Sequence, residues 1–383
     1  MDIAFARKSG GALGSAIGGL CAIAAAIGVG RFVYTPILPP MIAALGLSKS
    51  QAGLIASANF LGYLIGALLA AMPTRPGARR AWVLGALAAS ALTTAAMGIV
   101  ETMPVFLGLR FIGGVASAFV LILTSAMVLE HLAERGRSGL SAIHFAGVGS
   151  GIVVSAALVA ALLRVGQPWW MLWLASGALS IAGLGAALIL LPRHARPGPV
   201  RGSEAHAVLD PRLKRMIAAY GLYGFGYVIT ATFLVAIVRV TPAIRALEPV
   251  IWIVFGLAAA PSIALWTWVA EPIGIPRAFS LACVVEAVGV MASVAWQSTV
   301  GVFVAAILVG GTFMALVALG FMRARELAQD DARRALALMT SAFGIGQIVG
   351  PYFAGIVSDR LGSFTLPSLT AAAALVIAAA LAK

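Results

Sequence analysis

Apolar runs of about twenty residues follow one another along almost the whole chain, and short motifs within them return in order when the sequence is slid by about 197 positions. Gly28-Val29-Gly30-Arg31 returns as Gly224-Phe225-Gly226-Tyr227, and Arg80-Ala81-Trp82 returns as Arg277-Ala278-Phe279. Ile112-Gly113-Gly114 returns as Val309-Gly310-Gly311, and Gly147-Val148-Gly149 as Gly344-Ile345-Gly346. Four matches in one order at nearly one shift describe a duplicated half that packs against its twin. Hydrophobic residues make up 61% of the 383 positions and charged residues 10%, whereas a soluble domain runs nearer half apolar and a quarter charged. The solvent for such a chain is lipid.

The runs predict twelve transmembrane helices, at 14–43, 50–72, 81–100, 104–129, 139–163, 169–191, 214–239, 249–270, 278–296, 300–322, 335–357 and 364–382. Open strands in lipid would leave backbone groups unpaired, and no alternating barrel pattern is present, so the expected fold class is all-α. The longest break, 192–213, holds Pro192, Pro197, Gly198 and Pro199 among arginines. It reads as a cytoplasmic linker between a bundle over 1–191 and a second over 214–383. Arg7 and Lys8 precede a first apolar run too long for a cleavable signal.

A net charge of +13 raises the question of nucleic acid, but the basic residues lie between apolar runs rather than on an aromatic-rich patch. Nineteen of the 26 Lys and Arg fall on one side of the predicted spans, five on the other, and Arg31 and Arg110 lie inside spans. That bias places both termini in the cytoplasm. Cys21 and Cys283 sit within apolar runs, as packing thiols rather than a disulfide. There is no Gly-x-x-x-x-Gly-Lys-Ser/Thr loop and no room for a soluble nucleotide domain, and no metal cluster or cofactor is expected.

Two six-helix repeats joined by a basic linker resemble the major facilitator superfamily over essentially the whole chain. That family's link between spans two and three reads Gly-x-x-x-Asp-Arg-x-Gly-Arg-Arg. Here Arg75, Gly77, Arg79 and Arg80 remain, with Thr74 at the aspartate's place. Gly355, Asp359, Arg360 and Gly362 fit the pattern better but fall on the opposite side. Arg110-x-x-x-Gly114 is similar to the family's buried-arginine motif in span four. Gly346-x-x-x-Gly350-Pro351 is similar to a seam that family antiporters carry in span five. The stretch from Gly28 to Pro40, with Arg31, Tyr34, Pro36 and Pro39, resembles the YbfB-like branch. The resemblance implies a transporter of twelve spans in two pseudo-symmetric bundles.

Charge is costly in hydrocarbon, so intramembrane ionisable residues are candidates for function. Arg31 shares a helix face with Gly28, Tyr34 and Thr35, and Pro36, Pro39 and Pro40 are expected to disrupt the span beyond it. Its guanidinium suits an anionic substrate; the alternative is an arginine snorkelling to the surface. Arg110 could sense substrate or be tied to carbonyls of a neighbouring helix. His144 titrates near neutrality and could carry a coupling proton, or it could be a neutral histidine at a helix contact. Glu286 is a second proton candidate, against a reading as a protonated acid bonded to a neighbour. Asn59, Tyr63, Tyr223, Tyr227 and Gln347, with Tyr34, join Arg31, Arg110 and His144 in the expected substrate-binding set. The counterparts of Arg31, Arg110 and His144 at the repeat shift are Tyr227, Ile307 and Ser341, so positive charge belongs to one half and aromatic and hydroxyl groups to the other. The sequence thus points to a monomeric secondary carrier of a small organic anion in a bacterial inner membrane, with lipid and a coupling proton as its partners and no nucleic acid. Multidrug export, a membrane-embedded enzyme and a sensor are the alternatives.

Overall fold

A proline lacks the N–H that its position would donate one turn back, so its effect appears upstream of it. The first span shows this. Asp2–Ile23 (α1) is regular, and Ala24–Val29 is wound as a π-helix in which the Gly30 N–H reaches the Ala25 carbonyl at 2.9 Å. Residues 30–33 then turn, and Tyr34–Leu45 (α2) resumes the helix with Pro39 and Pro40 inside it. The disruption expected at and beyond Pro36 therefore lies before it. Pro36 leaves the Phe32 carbonyl without its usual donor, the Thr35 N–H takes that carbonyl at 3.2 Å, and the Arg31 carbonyl loses its own backbone partner. Gly46, left-handed at φ 63°, ends α2. Ser48 and Gln51 form a reciprocal capping box that opens Lys49–Ala70 (α3).

The computed structural model describes residues 2–72, 78–192, 210–328 and 332–382, and every regular element among them is a helix. Arg79–Ala96 (α4), Met103–Glu134 (α5), Ser141–Phe145 (α6), Gly147–Arg164 (α7) and Trp169–Leu190 (α8) complete the first bundle. Pro211–Val240 (α9), Glu248–Ala259 (α10), Ser262–Ile273 (α11), Ile275–Ala295 (α12), Thr299–Leu327 (α13), Ala332–Leu361 (α14) and Thr365–Leu381 (α15) form the second. Among the described residues ten spans are long and apolar enough to cross a membrane, and α4, α11 and α15 are further helices. The span expected over 249–270 is divided at Pro261 into α10 and α11. Large apolar side chains such as Ile189, Trp268 and Leu92 are exposed, which suits a lipid-facing surface. Most of the expected linker, at 193–209, lies outside the described residues, as do Thr74, Arg75 and Gly77. Beyond that gap, Arg79 pairs with Glu130 of α5 at 3.1 Å, and Arg80 donates to the Leu188 carbonyl at 2.6 Å.

Without a hydrophobic force between helices in lipid, small residues set how closely backbones approach. A Cβ at Gly62 would meet the Phe111 carbonyl, and one at Gly114 would meet the Asn59 carbonyl, so α3 and α5 touch backbone to backbone. In the second bundle a Cβ at Gly310 would meet the Phe255 carbonyl in the same way. This pairs Gly114 with Gly310, one position off the Gly311 match in the sequence, and makes Ala306 rather than Ile307 the counterpart of Arg110. Gly346 and Gly350 of the glycine-proline motif pack α14 on Gly221 and Phe225 of α9. The glycine run in α7 has two faces: Gly147 and Gly151 receive the first span, while Gly149 meets Ala260 of the other bundle.

The bundles meet along α3 with α14, α7 with α10 and α2 with α9. Gly53 lies against the Pro351 carbonyl, and the Ser57 hydroxyl donates to the Ile348 carbonyl at 2.6 Å. At the end of this seam the Asp359 carboxylate accepts the Lys49 and Ser50 N–H groups at 2.9 and 2.8 Å, capping α3 from the opposite bundle. Near the centre the Thr35 hydroxyl donates to the Ala231 carbonyl at 2.7 Å, across a separation of 196 residues. Thr35 and Ala231 are thus repeat counterparts that touch.

Candidate functional site

Arg31 leaves the first span where the helix is broken, and its residue is only 6% exposed. It is buried rather than snorkelling. Its guanidinium carbon lies 4.4 Å from the Tyr63 ring centre, 4.5 Å from Phe60 and 5.5 Å from Phe32. These rings present their electron-rich faces to the cation. No acidic side chain forms an ion pair with Arg31 among the described residues. Its Nε and Nη2 atoms are buried and donate no hydrogen bond.

The second bundle meets this cation with aromatic rings. Tyr227 stands within electrostatic reach of Arg31 and of Tyr63. Its ring is nearly parallel to Phe343 (5.8 Å, 3°) and to Phe313 (5.8 Å, 17°), and it stacks on Tyr223 at 5.2 Å. Its hydroxyl is bonded to the Gln347 amide, whose Oε1 is buried without a partner. Phe32 of the first bundle reaches across to Phe313 at 5.7 Å and to Trp252 at 6.5 Å. Phe32, Phe60, Trp252, Phe313 and Phe343 were not anticipated as site residues. A lone aromatic within an apolar run carries no mark that separates it from ordinary packing.

Arg110 holds the break. Its Nη1 and Nη2 donate to the Gly30 and Arg31 carbonyls at 2.9 and 3.1 Å, the groups that the interrupted helix leaves unpaired. Asn59 donates to the Arg110 carbonyl at 2.8 Å, and Tyr34 lies under the Arg110 guanidinium while its hydroxyl bonds the Ala52 carbonyl. Arg110, Asn59 and Tyr34 thus form a layer behind Arg31. The Arg110→Gln variant is expected to lower stability by about 1–3 kcal/mol for each carbonyl left unpaired. Arg110→Lys should not restore it, because an ammonium lacks the planar fork. Melting curves of the purified variants test this; an unchanged midpoint in both would rule the staple out.

His144 and Glu286 lie elsewhere. His144 is fully buried in the first bundle, with Nε2 at 2.9 Å from the Ser125 hydroxyl and its ring against Gly19 of α1. Glu286 is fully buried in the second bundle, within electrostatic reach of Tyr223, Tyr227 and Cys283, with Thr312 beside its carboxyl and no cationic side chain paired to it among the described residues. Tyr223 is bonded to the Phe313 carbonyl and connects Glu286 to the ring stack. No group of three or more metal-ligating side chains occurs among the described residues.

Comparison with known proteins places this arrangement. Two solved structures share the fold at 15% identity: the nucleoside transporter NupG, with a TM-score of 0.74 over 96% of this chain and 98% of that one, and a bacterial homologue of the human lysosomal transporter Spinster, with a TM-score of 0.70 over 95% and 94%. A chloramphenicol resistance protein of Streptomyces lividans is 27% identical over 233 residues. That match spans 56% of each protein, so the chain covers about half the length of this relative. The family model described as "Uncharacterised MFS-type transporter YbfB" matches residues 23–383. The chain belongs to this YbfB-type family of major facilitator transporters.

Proposed function

We propose that the protein is a secondary transporter that moves a small organic anion across a bacterial inner membrane by alternating access, with both termini in the cytoplasm. The observation that carries this reading is the buried Arg31 guanidinium where the two bundles meet, which pairs with no acid among the described residues and leaves Nε and Nη2 without a partner. A buried cation without a counter-ion costs several kcal/mol, and an anionic ligand offsets that cost. Arg31, Tyr63, Tyr227 and Gln347 are the contact residues, with Tyr223 behind the stack and Arg110, Asn59 and Tyr34 holding Arg31 in place. The chain works as a monomer and not as an enzyme. Uptake into proteoliposomes of carboxylates and amines matched in size tests the reading. Preference for the carboxylates is expected, and preference for the amines would reverse it.

Glu286, and less directly His144, are the proposed carriers of a coupling proton. Glu286→Gln is expected to leave solute exchange intact while abolishing accumulation driven by a pH gradient. Accumulation at the wild-type level would remove Glu286 from the coupling. Export of lipophilic drugs is a second reading, favoured by the name of the Streptomyces relative. Its mark is competition among unrelated neutral compounds.

A further inference from the structure

Resting on Arg31 as anchor, the chemistry around it narrows the anion further. In a guanidinium, Nε–H and one Nη2–H lie on the same edge and point the same way. These are the two atoms of Arg31 that are buried and donate to nothing. Two parallel donors on one edge match the two oxygens of one carboxylate.

The donor count is also set. Arg110, the other buried arginine, keeps its charge within electrostatic reach of Arg31 but has both terminal nitrogens committed to the Gly30 and Arg31 carbonyls. The Nε–Nη2 edge of Arg31 is therefore the guanidinium edge left for an anion at this site, and the further oxygens of a phosphate would find no second fork. Among the three rings around the guanidinium the one further donor is the Tyr63 hydroxyl, so the third oxygen of a sulfonate would have at most that one O–H, while the Nε–Nη2 edge is matched by a planar two-oxygen head. Beyond Arg31, the near-parallel Tyr227, Phe343 and Phe313 rings already stack on one another, so a flat aromatic body would extend this stack rather than enter it. Gln347 commits its Nε2 to Tyr227, and its buried Oε1 can accept from a donor on that body.

We propose that the substrate is a planar aromatic monocarboxylate bearing one hydrogen-bond donor, held by the Nε–Nη2 edge of Arg31, the Tyr227 ring and the Gln347 Oε1. The test is calorimetric titration of the full chain in lipid nanodiscs with para-hydroxybenzoate, benzoate, cyclohexanecarboxylate, benzenesulfonate, phenyl phosphate and benzylamine. Affinity should fall in the order given for the first three. The sulfonate and the phosphate should bind at least about tenfold more weakly than benzoate, as expected for a contact worth about 1.4 kcal/mol. Arg31→Lys should lose at least tenfold for benzoate, because the ammonium keeps the charge without the edge. Gln347→Leu should lower affinity for para-hydroxybenzoate more than for benzoate, narrowing the gap between the two.

Equal binding of carboxylate, sulfonate and phosphate would overturn this proposal and leave the anion reading standing. Tighter binding of benzylamine would overturn both. Absence of binding by every aromatic carboxylate also overturns the proposal. The wild-type series decides these outcomes by itself should Arg31→Lys fail to fold.

Discussion

Arg31→Gln should reduce substrate affinity by roughly thirtyfold to a few thousandfold, the factor that corresponds to about 2–5 kcal/mol for losing one partner of a buried, hydrogen-bonded charge pair. Glutamine keeps much of the length of the side chain but offers one amide where the arginine offers a charged edge. The three rings that surround the guanidinium would remain, so the site would keep its shape and lose its sign. Folding should survive, since the removed cation is paired to no acid among the described residues. Binding and uptake by the purified variant, read beside its melting curve, test this. A variant that melts normally and transports at the wild-type rate removes Arg31 from the site.

Gly53→Val carries the second large effect. A Cβ at residue 53 would clash with the Pro351 carbonyl on the other bundle. A backbone carbonyl in a helix cannot swing aside, so the bundles must part at this end or the chain must strain. Overpacking of this kind costs about 1–3 kcal/mol, which shifts a two-state equilibrium roughly 5- to 150-fold. The closed arrangement of α3 against α14 should therefore become the minor one, with transport slowed and each bundle intact. Pulsed spin-label distances between residues 44 and 361, near the Asp359 cap, should lengthen in the variant. Asp359→Ala should act in the same direction more weakly, since it removes the acceptor for two N–H groups without adding bulk. Unchanged distances in both variants would separate the glycine contact from closure.

The fold was legible because lipid imposes one rule everywhere: apolar runs of spanning length become helices. The repeat was legible from glycines, which mark the places where backbones meet. The register of the repeat was read one position off in spans four and ten, because two adjacent glycines offer alternative alignments and only the packing of Gly310 on Phe255 distinguishes them. The break in the first span was expected on the wrong side of Pro36, since the sequence displays the residue that lacks a donor and not the carbonyl that suffers. Arg31 and Arg110 stood out as charges in an apolar run, but their division of labour did not. Only the partners show that Arg110 serves the backbone while Arg31 keeps a free edge. The rings at Arg31 and the rings that Phe32 meets across the bundles come from four separate spans, and no spacing in the sequence brings Phe32, Phe60, Phe313 and Trp252 together.

The hydrogen bond from Thr35 to Ala231 joins two positions that the duplication makes equivalent. Points related by a two-fold axis come into contact only on that axis. A tie placed there keeps its length through a rotation about any line passing through it, much as the bearing of a seesaw stays still while both arms travel. If the alternating access proposed is a rocking of the two bundles, the seams on either side open and shut in turn while this tie acts as the fulcrum.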